Sequence, residues 1–120
     1  MVKNLTLFFG MVFILIGILG FVDNPLVGDI GIFMTNAAHD VIHILIGIVA
    51  IIAARGGWGT AFLKVFGAVY LLVALLGFWM GSPVLGFIGT NDADNWLHIA
   101  LGAVFLCTGF MGGKKPMMPM

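Results

Sequence analysis

Charge is scarce in this chain and cysteine almost absent. Only five residues are acidic and five basic, 8% of 120. A soluble domain carries about 25% charged residues, and so few polar groups could not cover the surface of a globule in water. The single cysteine, Cys107, has no partner within the chain, so a disulfide framework is excluded. There is no phosphate-cradling loop, no nucleophile with a base and an orienting group, and no basic aromatic patch. These absences point away from an enzyme and away from nucleic acid.

What remains is apolar. Hydrophobic residues make up 62% of the chain and the mean hydropathy is +1.20, so its solvent is the lipid bilayer. Four apolar runs stand out at 5–22, 38–54, 61–80 and 96–111. At 1.5 Å per residue each approaches the ~30 Å hydrocarbon thickness. The second and fourth are lengthened by polar first turns that begin near Asn36 and Asn91. The expected fold is all-α, an integral membrane four-helix bundle.

The few charges are sorted by connection. Lys3, Arg55, Lys64, Lys114 and Lys115 lie at the N-terminus, around the second connection and at the C-terminus; Asp23, Asp29, Asp40, Asp92 and Asp94 lie in or beside the first and third. The positive-inside rule then puts both termini and the second connection in the cytoplasm of an inner, plasma or other energy-transducing membrane. Trp79 and Trp96 fall at the outer interface and Trp58 at the inner one, where amphipathic rings anchor. The pair Lys114 and Lys115 is a weak lipid-headgroup signal.

The chain also repeats itself. Thr35, Asn36, Ala38, His43, Ile44 and Gly47 recur 55 positions on as Thr90, Asn91, Ala93, His98, Ile99 and Gly102. Phe9-Gly10 and Gly20-Phe21 recur 57 positions on as Phe66-Gly67 and Gly77-Phe78, so the first run is the partner of the third and is not read as a cleaved signal. The expectation is a single transmembrane domain built from two tandem helical hairpins. Repeat one covers 1–56, repeat two 57–113, and a short tail 114–120. Copies with two spans each share a topology, and a pseudo-two-fold axis along the membrane normal should relate them. Gly10, Gly17 and Gly20 match Gly67, Ala74 and Gly77 and suit close helix contact in lipid. The apolar stretches 28–33 and 84–89 are expected to form short helical or re-entrant pieces at the outer interface.

The run Thr35-Asn36-Ala37-Ala38-His39-Asp40-Val41-Ile42-His43, followed by Asn91-Asp92-Ala93-Asp94-Asn95-Trp96-Leu97-His98, resembles a bacterial four-transmembrane-helix family catalogued as a domain of unknown function, the DUF4383 type. The resemblance covers essentially the whole chain. It implies a four-span topology with the basic side inward, and it implies no activity.

The chemistry-bearing residues sit in the repeated segments. His39, His43 and Gly47 share one face of the second helix at i, i+4 and i+8, and Asp94, His98 and Gly102 do so on the fourth. The repeat makes His43 equivalent to His98 and His39 equivalent to Asp94. An ionisable group at this depth calls for a partner inside the bundle. Four readings follow. The imidazoles tie the hairpins together by hydrogen bonds to Asp40, Asp94, Asn36, Asn91 or Asn95. His43 and His98 ligate a heme, or one of them a chlorophyll-type pigment, with Gly47 and Gly102 making room for a flat ring. His39, His43, His98 and Asp94 bind a divalent metal, as the ligand types and spacing allow. Last, the outer acids and histidines conduct protons or ions, against which the inner halves of the helices hold no ionisable group. The segment from His39 to His43 is not a metalloprotease motif, because Asp40 stands where the general-base Glu belongs.

A small chain without catalytic apparatus fits an accessory or scaffolding subunit of a larger respiratory or photosynthetic membrane complex, or a homo-oligomer. The competing expectation is a small heme-, chlorophyll- or metal-binding membrane protein that uses the paired outer histidines.

Overall fold

The computed structural model describes residues 1–112; the Lys114 and Lys115 signal lies outside them. Four helices account for most of those residues: α1 (Val2–Leu19), α2 (Ala37–Gly56), α3 (Gly59–Met80) and α4 (Asp92–Gly112). Each is long and apolar enough to cross a membrane. At 18 to 22 residues they are roughly 27–33 Å long, which matches the hydrocarbon layer.

Local chemistry sets the ends. Asn36 caps α2, its Oδ1 accepting the His39 backbone N–H at 3.0 Å, and Asn91 does the same for Asp94 on α4 at 3.0 Å. Gly57 ends α2 in the left-handed region at φ 82°, the position glycine fills without steric cost. The chain then starts α3 two residues later.

The first apolar run stops three residues earlier than its hydropathy suggests. Asn24 explains this, because its side-chain amide takes the Leu19 and Val22 carbonyls that a continuing helix would have used, at 2.8 and 2.6 Å. Its Oδ1 also accepts the Leu26 and Val27 amides. The outer connections are turns, each closed by an isolated bridge, Val27 with Phe33 and Val84 with Ile88. Of the two expected forms for 28–33 and 84–89, helical or re-entrant, the helical one is therefore not present; backbone pairing across each turn satisfies these apolar segments instead.

Helices α1 and α2 pack chiefly on each other, as do α3 and α4, giving two hairpins. Glycine lets each pair close. A Cβ on Gly10 would lie 2.9 Å from the Gly47 carbonyl oxygen, and one on Gly47 2.6 Å from that of Gly10. In the other hairpin Gly67 and Gly102 stand in the same relation, at 3.1 and 2.9 Å. In lipid, where apolar burial gives no net drive between helices, such contact is a principal source of association.

Between the hairpins lies a core of Phe13, Ala50, Ala53, Phe62, Leu63, Tyr70 and Phe105. Phe105 is at its centre, with ring centroids of Phe9 at 4.9 Å, Tyr70 at 5.9 Å and Phe13 at 6.0 Å. This aromatic plug fills the half of the bundle nearer Lys3 and Arg55. Apart from Thr6, the buried polar side chains lie in the other half.

Candidate functional site

Three histidines meet directly above the plug. His39 and His43 come from α2 and His98 from α4, and all three are buried. One ligand nitrogen from each lies within 4.8 Å of the others. Helical periodicity explains the first pair, since residues four apart stack on one face; their ring centroids are 4.4 Å apart. His98 approaches across the hairpin boundary, 5.7 Å from the His39 ring and 6.4 Å from that of His43.

Each ring is held by a different wall. The Nδ1 of His39 lies 2.6 Å from the carbonyl oxygen of Gly89. A carbonyl only accepts, so Nδ1 carries the proton and Nε2 is left with its lone pair toward the cluster. Ring N–H to backbone carbonyl is the arrangement that orients metal-ligating histidines. His43 stacks on Phe13, centroids 5.9 Å apart and planes at 10°. His98 leans on Tyr70 at 5.2 Å. Among the described residues the Nδ1 atoms of His43 and His98 and the Tyr70 hydroxyl are buried without a hydrogen-bond partner. Buried polar atoms are rarely left so, and two of these three belong to rings of the cluster.

The acids and amides do not supply those bonds. Asp94 is buried, but its Oδ2 accepts the Asn91 backbone N–H at 3.0 Å, closing the first turn of α4. Asp40 is buried against Gly20 and Asn95 against Gly77, where a Cβ would overlap the carboxylate or the amide. The Asn36 amide donates to the Phe87 carbonyl at 2.9 Å and that of Asn91 to the Ile32 carbonyl at 2.9 Å, so each helix cap grips the opposite hairpin's outer turn. Hydrogen bonds do tie the hairpins together, but through these asparagines and His39.

The flat-ring reading needs space beside Gly47 and Gly102. The backbones of α1 and α3 fill it, at Gly10 and Gly67.

Two cavities border the cluster. One, of about 140 Å³ between α2 and α3, is lined by His39, His43, Tyr70 and His98 among apolar side chains. The other, of about 240 Å³ between α1 and α4, is lined by Phe13, Thr35, His43, Asp94, Leu97 and Leu101 among others. His43 faces both. Spacing in the sequence picks out every histidine but not Tyr70. The repeat held a signal for it, because Tyr70 stands 57 positions after Phe13, the residue that stacks on the equivalent histidine. Gly89 was legible only as a loop residue, since its role depends on how the outer turns fold over the bundle.

These features define a class: an all-α, multi-pass membrane bundle with a buried histidine cluster at one end. Residues 3–111 match the family described as Domain of unknown function (DUF4383), and the chain belongs to that family. No curated protein and no solved structure matches it.

Proposed function

We propose that this protein binds one transition-metal ion in the membrane through His39, His43 and His98. The observation that carries this reading is the convergence of three buried imidazoles from two hairpins within 4.8 Å. Nitrogens at 2.0–2.1 Å from a tetrahedral ion lie about 3.3 Å from one another, so the site has to tighten by about 1.5 Å at most. Imidazole ligands in this number suit Zn, Cu or Fe. Three protein ligands leave a fourth position open, and the cavity beside Tyr70 gives it somewhere to point. Asp94, its Oδ2 engaged at the helix cap, faces the cavity on the other side of His43.

The bundle is read as two duplicated hairpins about a pseudo-two-fold axis. Support comes from paired contacts at the repeat offsets: Gly10 with Gly47 and Gly67 with Gly102, Gly20 with Asp40 and Gly77 with Asn95, and the reciprocal asparagine bonds to Phe87 and Ile32. The orientation is read with the basic end in the cytoplasm. Val2 meets Gly59 and Gly112, which gathers the N-terminus, the α2–α3 turn and the end of α4 at one end. Lys3 and Arg55 share that end, and the positive-inside rule assigns it. The metal site then lies in the outer half.

The test is metal content. Protein purified in mild detergent and analysed by mass spectrometry should carry about one zinc, copper or iron per chain, in line with a single three-histidine site. His43→Ala and His98→Ala should each lose it. Protein that is metal-free and takes up no metal on loading, yet co-purifies with a larger membrane complex, would instead favour the accessory-subunit reading.

A further inference from the structure

The cavity of about 140 Å³ between α2 and α3 touches all three rings of the cluster, so it is where a fourth ligand on an ion held by them would lie. The rest of its wall is Tyr70 and five aliphatic side chains, Ile42, Ile46, Val69, Val73 and Ile88. Among the described residues the Tyr70 hydroxyl is buried without a hydrogen-bond partner, in a residue 4% exposed, and it is the only side-chain donor in this lining beyond the imidazoles.

That wall decides what suits the fourth position. A buried water makes about three hydrogen bonds, and here it would find only the ion and one hydroxyl. An acyl chain fits the aliphatic wall but has no lone pair to offer a metal. A small neutral molecule with a lone pair meets both demands. Volume caps its size, because an apolar cavity of about 150 Å³ takes nothing much larger than benzene. Val69 is exposed and Ile42, Ile46 and Val73 are half-buried on membrane-spanning helices, so the cavity is reached from the acyl chains, where apolar gases dissolve better than in water.

Charge narrows the ion. Three imidazoles are neutral ligands and cancel none of its charge. Of the buried acids near them, Asp94 closes the first turn of α4 and Asp40 pairs with Thr35 against Gly20. The cost of burying an ion grows with the square of its charge, so a singly charged ion is held at the least cost. Among the metals that imidazole suits, this is copper(I).

We infer that the open position, on copper(I), binds a diatomic gas of the dioxygen, nitric oxide and carbon monoxide class, with the Tyr70 hydroxyl donating to the outer atom of the ligand. This rests on the metal reading above and narrows it. Copper(I) can return d electrons to such ligands, whereas zinc does not bind them.

The test uses the full chain in detergent, loaded with copper(I) in the absence of air. Copper is counted by mass spectrometry before carbon monoxide, the probe gas, is added, and binding is then read from the infrared C–O stretch. Wild type should hold about one copper and about one carbon monoxide per chain, as a single three-histidine site with one open position requires. Tyr70→Phe should keep the copper, shift the stretch and weaken gas binding roughly twofold to tenfold, the range for one lost hydrogen bond. Val73→Phe on α3 and, at the opposite wall, Ile42→Phe on α2 should keep the copper and lose the band by filling the cavity. Protein that takes up no copper, zinc or iron would overturn the metal reading and this inference with it. Protein that holds zinc or iron but refuses copper(I), or holds copper(I) without a bound-gas band, would overturn this inference alone. So would a band that is the same in wild type, in Tyr70→Phe and in whichever cavity variant holds copper, since the gas would then lie outside this cavity.

Discussion

His39 differs from the other two histidines because its proton is already placed. The Gly89 carbonyl fixes Nδ1–H and frees Nε2, whereas His43 and His98 are positioned by aromatic faces and keep unpartnered Nδ1 atoms. Tyr70 also carries a buried polar atom without a partner, and this gives a sharp expectation. Tyr70→Phe should leave the fold intact and raise stability by about 1 kcal/mol, because it removes an unsatisfied buried hydroxyl. Denaturation in detergent checks this; a loss of stability would mean that the hydroxyl bonds to something held at the cluster. Asn36 and Asn91 point the opposite way. Each caps a helix and grips the opposite outer turn, so replacing either with alanine should cost about 1–2 kcal/mol in the same measurement. Equal stability of the two alanine variants and the wild type would show that these bonds do not hold the hairpins together.

At the scale of helices, glycine decides the geometry. Gly47→Leu and Gly102→Leu each drive a side chain into the facing backbone, and both should break their hairpin to a similar extent, seen as reduced folded yield and a lower unfolding midpoint. A large difference between the two would weaken the duplication reading. The four spans, the caps at Asn36 and Asn91 and the matched glycines were all legible in the sequence, because hydropathy and short-range repeats encode them directly. The end of α1 was not, since Asn24 halts that helix while the residues around it remain apolar. The helical alternative for the outer segments failed for a related reason. Apolar composition says that a segment avoids water, but not whether its backbone bonds close a helix or a turn, and here Val27 with Phe33 and Val84 with Ile88 close turns. Of the site, the histidines could be read from spacing. The Gly89 contact could not, because it arises from one hairpin folding against the other; Tyr70 was readable only through its place opposite Phe13 in the repeat.

For the molecule as a whole, the site exists only where the hairpins meet. A chain cut at the Gly57 turn and expressed as two hairpins should reassemble and bind metal, while neither half alone should, since α2 brings His39 and His43 and α4 brings His98. Metal retained by the first half alone would place the site within α2. Phe9, Phe13, Phe62 and Phe105 pack together on the side of the cluster nearer the basic end of the bundle. A reporter fused after Met120 should read as cytoplasmic; a periplasmic signal would invert the molecule and put the cluster in the inner leaflet. The central claim, one ion held by three imidazoles from two hairpins, is tested most directly by X-ray absorption on metal-loaded protein. The account predicts three imidazole nitrogens at about 2.0–2.1 Å, falling to two in His39→Ala. A shell dominated by sulfur, or one unchanged in His39→Ala, would contradict it.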